Sequence, residues 1–154
     1  MFTTVAALST PAFASATTPT TQIQIKAHAA GEQASLGAAG ATAVASALAT
    51  AEDDDSDGFI DVAITGDGSF SIAPGQMQIT NGQGKAIASS TELTERNPDT
   101  NQYIRDIKSP ETIEAGATKH FRFEFPGSDS LGDAGNLSVL NNSNGKMVAA
   151  WHIY

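Results

Sequence analysis

Alternating apolar and polar residues mark the chain from residue 59 onwards. The clearest run lies within residues 112–127, where Phe121, Phe123 and Phe125 alternate with charged or polar side chains. Similar runs occupy residues 59–65, 69–81, 85–93, 136–142 and 145–154. Because a period of two buries one face of a strand, the pattern predicts a mainly β protein, an antiparallel β-sandwich of immunoglobulin-like or jelly-roll type. The three phenylalanines, with Trp151 and Ile153, are predicted to lie in its core.

The polar segment 94–111 contains two prolines and predicts a long surface loop with one short strand near residues 103–107. The last two runs, 136–142 and 145–154, predict a hairpin that turns at residues 142–145.

The first third of the chain has a different pattern. The segment "TQIQIKAH" (21–28) places Ile23 and Ile25 on one face and predicts a half-buried strand. Residues 31–52 are rich in alanine and predict a helix, although Gly37 and Gly40 each weaken it by about 1 kcal/mol relative to alanine. A flexible connector of small residues is the alternative for this segment.

Residues 1–20 are rich in threonine, alanine and proline and show no periodicity. They predict either an extended N-terminal arm or a degenerate export signal. The Ala-Phe-Ala at 12–14 resembles a signal-peptidase site, but no basic residue precedes Lys26. Residues 21–154 are then expected to form one β-sandwich domain, and no apolar run is long enough to cross a bilayer.

Composition narrows the classes of function. The chain has 154 residues and a formal net charge of −9, which disfavours binding to nucleic acid or to anionic lipid. It contains no cysteine, so disulfides, thiolate catalysis and zinc–sulfur sites are excluded. No serine-nucleophile or phosphate-loop motif is present. His28, His120 and His152 are too scattered to indicate a metal site.

The sharpest chemical pattern is "DDDSDGFID" at residues 53–61. Asp53, Asp55 and Asp57 alternate and a glycine follows them, so their carboxylates could converge on one cation in a tight loop. The carbonyl of Phe59 and the carboxylate of Asp61 would then supply the seventh- and ninth-position oxygens. Calcium, a hard cation that takes six to eight oxygens, is the predicted ligand.

This spacing resembles the calcium loops of EF-hand, dockerin and thrombospondin type 3 repeats. The loop departs from the EF-hand at its twelfth position, where Ile64 replaces the bidentate glutamate. A site without that ligand is expected to be weak, with a dissociation constant on the order of millimolar. The alternative is an acidic, solvated turn that binds no metal.

A wider resemblance covers roughly residues 59–125. The segments "FSIAPGQMQITNGQGKAI" and "IEAGATKHFRFEFP" resemble secreted immunoglobulin-like domains and are similar in style to TasA-type filament subunits. That resemblance implies an all-β subunit that polymerises when an N-terminal segment adds a strand to a neighbour. Viral capsid and decoration proteins share the same style of sandwich with an N-terminal arm.

Two functional hypotheses follow. The first is a non-enzymatic structural subunit that binds copies of itself in an extracellular filament or a virion through its N-terminal arm. We therefore expect residues 1–28 to contact neighbouring subunits at a cell surface or in a virion. The second is a calcium-dependent adhesion or carbohydrate-binding module, whose partner would be a glycan.

Overall fold

The computed structural model describes residues 26–37, 40–50, 58–126, 134–142 and 144–153. In chain order, its strands are β1 (Gln33–Ser35), β2 (Thr42–Ala45), β3 (Ala49–Thr50), β4 (Gly58–Thr65), β5 (Ser71–Ile72), β6 (Met77–Asn81), β7 (Ala86–Ser89), β8 (Glu92–Arg96), β9 (Tyr103–Asp106), β10 (Glu111–Thr112), β11 (Thr118–Phe125), β12 (Ala134–Leu140) and β13 (Met147–His152). A short 3₁₀ turn, Pro74–Gln76, precedes β6.

Two antiparallel sheets enclose the core. The large sheet has the order β9-β8-β11-β4-β2-β1, and β3 also pairs with β4. The small sheet has the order β13-β12-β6-β7. A separate two-stranded sheet consists of β5 and β10. The predicted mainly β, antiparallel sandwich is therefore confirmed.

The centre of the large sheet is the long pair β4 and β11. Phe123 lies opposite Ile60 and Phe121 lies opposite Val62, so apolar side chains from both strands share the inner face. All four residues are buried. The core prediction for the phenylalanine stripe is confirmed, because period-two alternation in β-branched and aromatic residues matches a sheet with one buried face.

The small sheet supplies the opposite wall. The hairpin of β12 and β13 pairs Leu137 with Trp151, and both side chains are fully buried. Its turn includes Gly145 at φ 72°, a conformation that glycine adopts without a steric penalty. The predicted hairpin and the predicted burial of Trp151 and Ile153 are confirmed.

The helix predicted over residues 31–52 is wrong. The described part of this segment forms β1, β2 and β3. Gly37 and Gly40 have φ values of 133° and 115°, which a helix cannot contain. Beyond them, Ala41, Ala43 and Ala45 are buried, so the alanines follow a period of two. Tertiary packing against β4 has overridden the intrinsic helix preference of alanine.

The run predicted over residues 85–93 belongs to two sheets. β7 ends at Ser89 in the small sheet, and β8 begins at Glu92 in the large sheet. The buried Ser90 fixes this crossing, because its hydroxyl donates to the carbonyl of Pro74 and accepts from the amide of Met77. In the sequence, the crossing coincides with three consecutive hydroxyl residues, Ser89, Ser90 and Thr91.

Candidate functional site at the sheet edges and the outer face

The N-terminal end of the described chain enters the sandwich at the edge strand β13. The amide of His28 donates to the carbonyl of Ala150 at 2.9 Å, and the amide of His152 donates to the carbonyl of His28 at 2.7 Å. These two bonds form an isolated parallel bridge between His28 and Trp151. Just downstream, the indole Nε1 of Trp151 donates to the carbonyl of Glu32 at 2.8 Å. The segment from His28 to Glu32 is therefore clasped to its own small sheet.

Pairing with β13 does not extend upstream of His28 in the part of the chain that the structure describes. A parallel ladder would continue with bonds from Lys26 to Val148 and from Ala150 to Lys26. Neither bond is formed between these described residues, and Lys26 is exposed. Of the strand predicted over residues 21–28, residues 21–25 lie outside the described part, so that strand stays a prediction.

The large hydrophobic side chains that are exposed among the described residues all lie on edge strands. Tyr103 is 56% exposed and Ile104 is 48% exposed on β9, and Met147 is 41% exposed on β13. β9 lies at one edge of the large sheet, and β13 lies at one edge of the small sheet. The short strand predicted near residues 103–107 is confirmed as β9. The exposure of its apolar side chains could not be inferred from the alternation pattern.

The predicted calcium loop is only partly described. Asp53, Asp55 and Asp57 lie outside the described residues, whereas Phe59 and Asp61 lie on β4. Asp61 accepts two hydrogen bonds from Arg122 on β11, at 2.7 Å and 3.0 Å. The same guanidinium lies 3.7 Å from the centre of the Phe59 ring. A calcium ion that bound Asp61 would have to compete with this ion pair, and the calcium loop stays a prediction.

The Asp61–Arg122 pair lies on the outer face of the large sheet, because the neighbouring Ile60 and Phe123 face the core. The turn between β8 and β9 folds back onto this face. Asn101, at φ 60°, donates from Nδ2 to Asp61 at 3.3 Å. This contact could not be predicted from the sequence, since it depends on the conformation of the turn.

A cavity of about 240 Å³ lies beside this pair on the outer face. Val44 and Ala63 supply apolar lining, while Asp61, Asn101 and His120 supply polar groups. Arg96 lies nearby on β8, where burial and the positive charge of Arg122 lower its pKa. The cavity therefore combines a small apolar surface with groups that can donate hydrogen bonds and groups that can accept them.

A second polar cluster closes one end of the core beside β9. Arg105 donates to Glu95 at 2.9 Å and to the two carboxylate oxygens of Glu111 at 2.6 Å and 2.7 Å. Lys119 lies 3.9 Å from Glu95. The hydrogen bonds from Arg105 lower the pKa of Glu111 below its usual range. This network fixes the backbone of β9 from the inner side of the sheet.

The described residues contain no group of three or more histidine, aspartate or glutamate side chains arranged to hold a metal ion. His28 packs near Trp151, with ring centroids 6.4 Å apart, while His120 lies on the large sheet. Among the same residues, no helix has the length and hydrophobicity needed to span a membrane.

Comparison with known proteins supports the β-sandwich fold and indicates no function. No family model and no curated protein match the chain. One solved structure is similar, an uncharacterized β-sandwich protein from Clostridium difficile 630. The TM-score is 0.50 at 14% sequence identity, and the match covers 85% of this chain and 97% of that one.

Proposed function

We propose that this protein is a non-enzymatic structural subunit that assembles with copies of itself through its N-terminal segment, in an extracellular filament or a virion. One observation carries the proposal. The chain is clasped to its own sheet from His28 to Glu32, and the two described residues before His28 form no further bridge to β13. We expect the uncharged, alternating segment 21–25 to pair with a neighbouring subunit.

The energetics favour strand addition as the mode of contact. Backbone hydrogen bonds supply affinity when an extended segment joins a sheet edge, and alternate side chains fill pockets. Sheet edges with exposed apolar residues tend to pair with other chains unless they are protected. β9 and β13 both have this character, with Ile104 and Met147 exposed. The resemblance to filament subunits noted above agrees with this mode.

Deletion of residues 1–25 tests the proposal and leaves every described residue in place. We expect the full chain to form ordered particles or filaments, seen by negative-stain microscopy and light scattering, and the deleted chain to remain monomeric. In the full chain, Ile23→Asp with Ile25→Asp should weaken assembly, whereas the matched pair Gln22→Asp with Gln24→Asp on the opposite face should have a smaller effect. Assemblies of unchanged size in the deleted chain would refute the proposal.

A second candidate function is binding of a glycan in an adhesion or carbohydrate-binding module. The observation in its favour is the outer-face cavity, where Asp61, Asn101 and His120 surround an apolar lining. Carboxylate, amide and imidazole groups can exchange hydrogen bonds with the hydroxyls of a sugar ring. The predicted calcium loop, residues 53–61, includes the first residues of β4 and would make such binding dependent on calcium.

Ligand titrations followed by NMR distinguish the two functions. Under the second hypothesis, at least one sugar of a monosaccharide panel should shift resonances of residues around the cavity. Ala63→Leu places a larger side chain in the cavity and should abolish those shifts. The control Ser89→Leu places the same side chain on the other sheet and should leave them unchanged. The absence of shifts with any sugar, with or without calcium, would remove this candidate.

A further inference from the structure

The outer edge of β9 has backbone groups that are available for pairing. The amide of Ile107 donates to the carbonyl of Leu93 at 2.9 Å, and Arg105 lies opposite Glu95. In an antiparallel pair, alternate residues direct both backbone groups towards the partner strand. The amide and carbonyl of Asp106 therefore point away from β8, and the bulge at Ile104 interrupts the alternation at the other end of the strand. Among the residues that the structure describes, no strand pairs with β9 on the side away from β8.

This edge is already held in the geometry of a strand. Arg105 projects towards the inner side, where Glu95 and Glu111 bind its guanidinium. Ile107, just beyond the strand, is 2% exposed and anchors it in the core. Glu95 lies opposite Arg105 and Arg96 lies opposite Tyr103, so Ile104 is the extra residue of a β-bulge and the regular part of the edge begins at Arg105. A preorganised edge loses little conformational freedom when a partner docks.

The side chains along this edge favour pairing rather than solvation. Tyr103 and Ile104 are about half exposed; of the features that commonly protect natural edges, the strand has an inward-pointing charge at Arg105 and a bulge at Ile104, but no lysine or proline. The strand has one cationic side chain, Arg105, and that side chain is engaged by two carboxylates. At the other edges, β1 has three residues with polar side chains exposed at both ends, Lys85 lies directly before β7, and the bridge from His28 occupies part of β13.

The geometry points to β9 as the edge that accepts residues 21–25 from a second copy of this chain. This inference rests on the proposed function and specifies its acceptor. The segment Thr-Gln-Ile-Gln-Ile has no charge, so it can approach a protein with a net charge of −9 without repulsion. Residues 21–25 lie three to seven positions before the clasped His28, so they reach at most about 25 Å from it, and the accepting β9 of the second copy must lie within that distance.

Cysteine cross-linking tests this assignment cleanly because the chain contains no cysteine. Chains with Ile23→Cys or Ile25→Cys are mixed with chains that have Ile104→Cys, allowed to assemble, and oxidised. Side chains directly opposite each other on paired strands have Cβ atoms about 4.5–5.5 Å apart, near the range that a disulfide spans. We expect covalent dimers from at least one isoleucine position, and several-fold fewer from the matched control Gln24→Cys on the other face.

A surface substitution provides the second readout. Ile104→Asp should prevent assembly without changing the melting temperature of the isolated domain by more than a few degrees. The matched control Ala86→Asp places the same charge on the edge strand β7 of the small sheet and should assemble normally. Normal assembly of the Ile104→Asp variant would overturn the assignment of β9.

Two other outcomes separate this inference from the proposed function. If assembly depends on residues 1–25 but the cross-link forms with Val148→Cys on β13 instead of Ile104→Cys, the acceptor is wrong and the proposed function stands. If a chain with both Ile25→Cys and Ile104→Cys gives only intramolecular disulfides and stays monomeric, both are overturned.

Discussion

Phe123 offers the most direct test of how the core is packed. Its side chain is fully buried at the centre of the large sheet. Leu93 on β8 lies opposite it on one side, and Ile60 on β4 lies opposite it on the other. Because two continuous ladders hold these neighbours, the core can collapse only partly around a smaller residue. Phe123→Ala should therefore cost about 3–5 kcal/mol of unfolding free energy, the usual range for a phenylalanine lost from a core.

That cost is a large share of the roughly 5–15 kcal/mol that stabilises a typical domain. At about 3 °C per kcal/mol for a domain of this size, the melting temperature should fall by roughly 10–15 °C. Urea titration followed by tryptophan fluorescence is the assay, since Trp151 is the single tryptophan and lies in the same core. The control is Tyr103→Ala, an aromatic truncation at a site that is 56% exposed, and its effect should be below about 1 kcal/mol.

If Phe123→Ala unfolded within 1 kcal/mol of the wild type, the packing between the two sheets at this position would be wrong. An equal effect of Tyr103→Ala would show that the assay reports something other than burial.

Four further predictions address the ion pairs, the clasp and the metal. Arg122→Lys keeps the positive charge but loses the bidentate hydrogen bonding to Asp61 and the stacking on the Phe59 ring. Urea titration should therefore show a loss of about 1 kcal/mol in unfolding free energy. Trp151→Phe leaves a carbonyl without its indole donor, and the loss of about 1–3 kcal/mol should accompany faster hydrogen exchange in residues 28–32. The lowered pKa of Glu111 means that its contribution to stability is complete above about pH 4.3 and is lost as the pH falls through the folded-state pKa; Glu111→Gln should therefore flatten the acid limb of a stability–pH profile. Calcium at one hundred times its dissociation constant should add about 2.7 kcal/mol of stability relative to EDTA, and Asp55→Ala should abolish that gain; identical melting curves would remove the calcium loop.

The elements that alternation predicts well are those with large side chains. The stripe of Phe121, Phe123 and Phe125 and the hairpin that ends in Trp151 alternate bulky with polar residues, so the buried face can be read directly. The strands within residues 31–52 could not be predicted in this way, because alanine is small enough for either face of a sheet and favours a helix in isolation. The positive φ of Gly37 and Gly40 is a property of the folded chain.

The candidate site is less accessible from the sequence. Spacing alone selected Asp61 as a calcium ligand, whereas its carboxylate binds Arg122, which is 61 residues away in the chain. That pairing depends on the register between β4 and β11, two strands that are not consecutive in sequence. The edge at β9 likewise follows from the order of strands in the sheet, and a local pattern of four residues cannot specify which strand lies outermost.

Cryo-electron microscopy of the native assembly tests the proposed function most directly, because it shows where the N-terminal segment of each copy lies. If the protein is a self-assembling subunit, density for residues 21–25 of one copy will run along an edge strand of the next copy, beside Ile104. Particles in which that segment folds back onto its own chain, or native material that contains only monomers, would contradict the proposal.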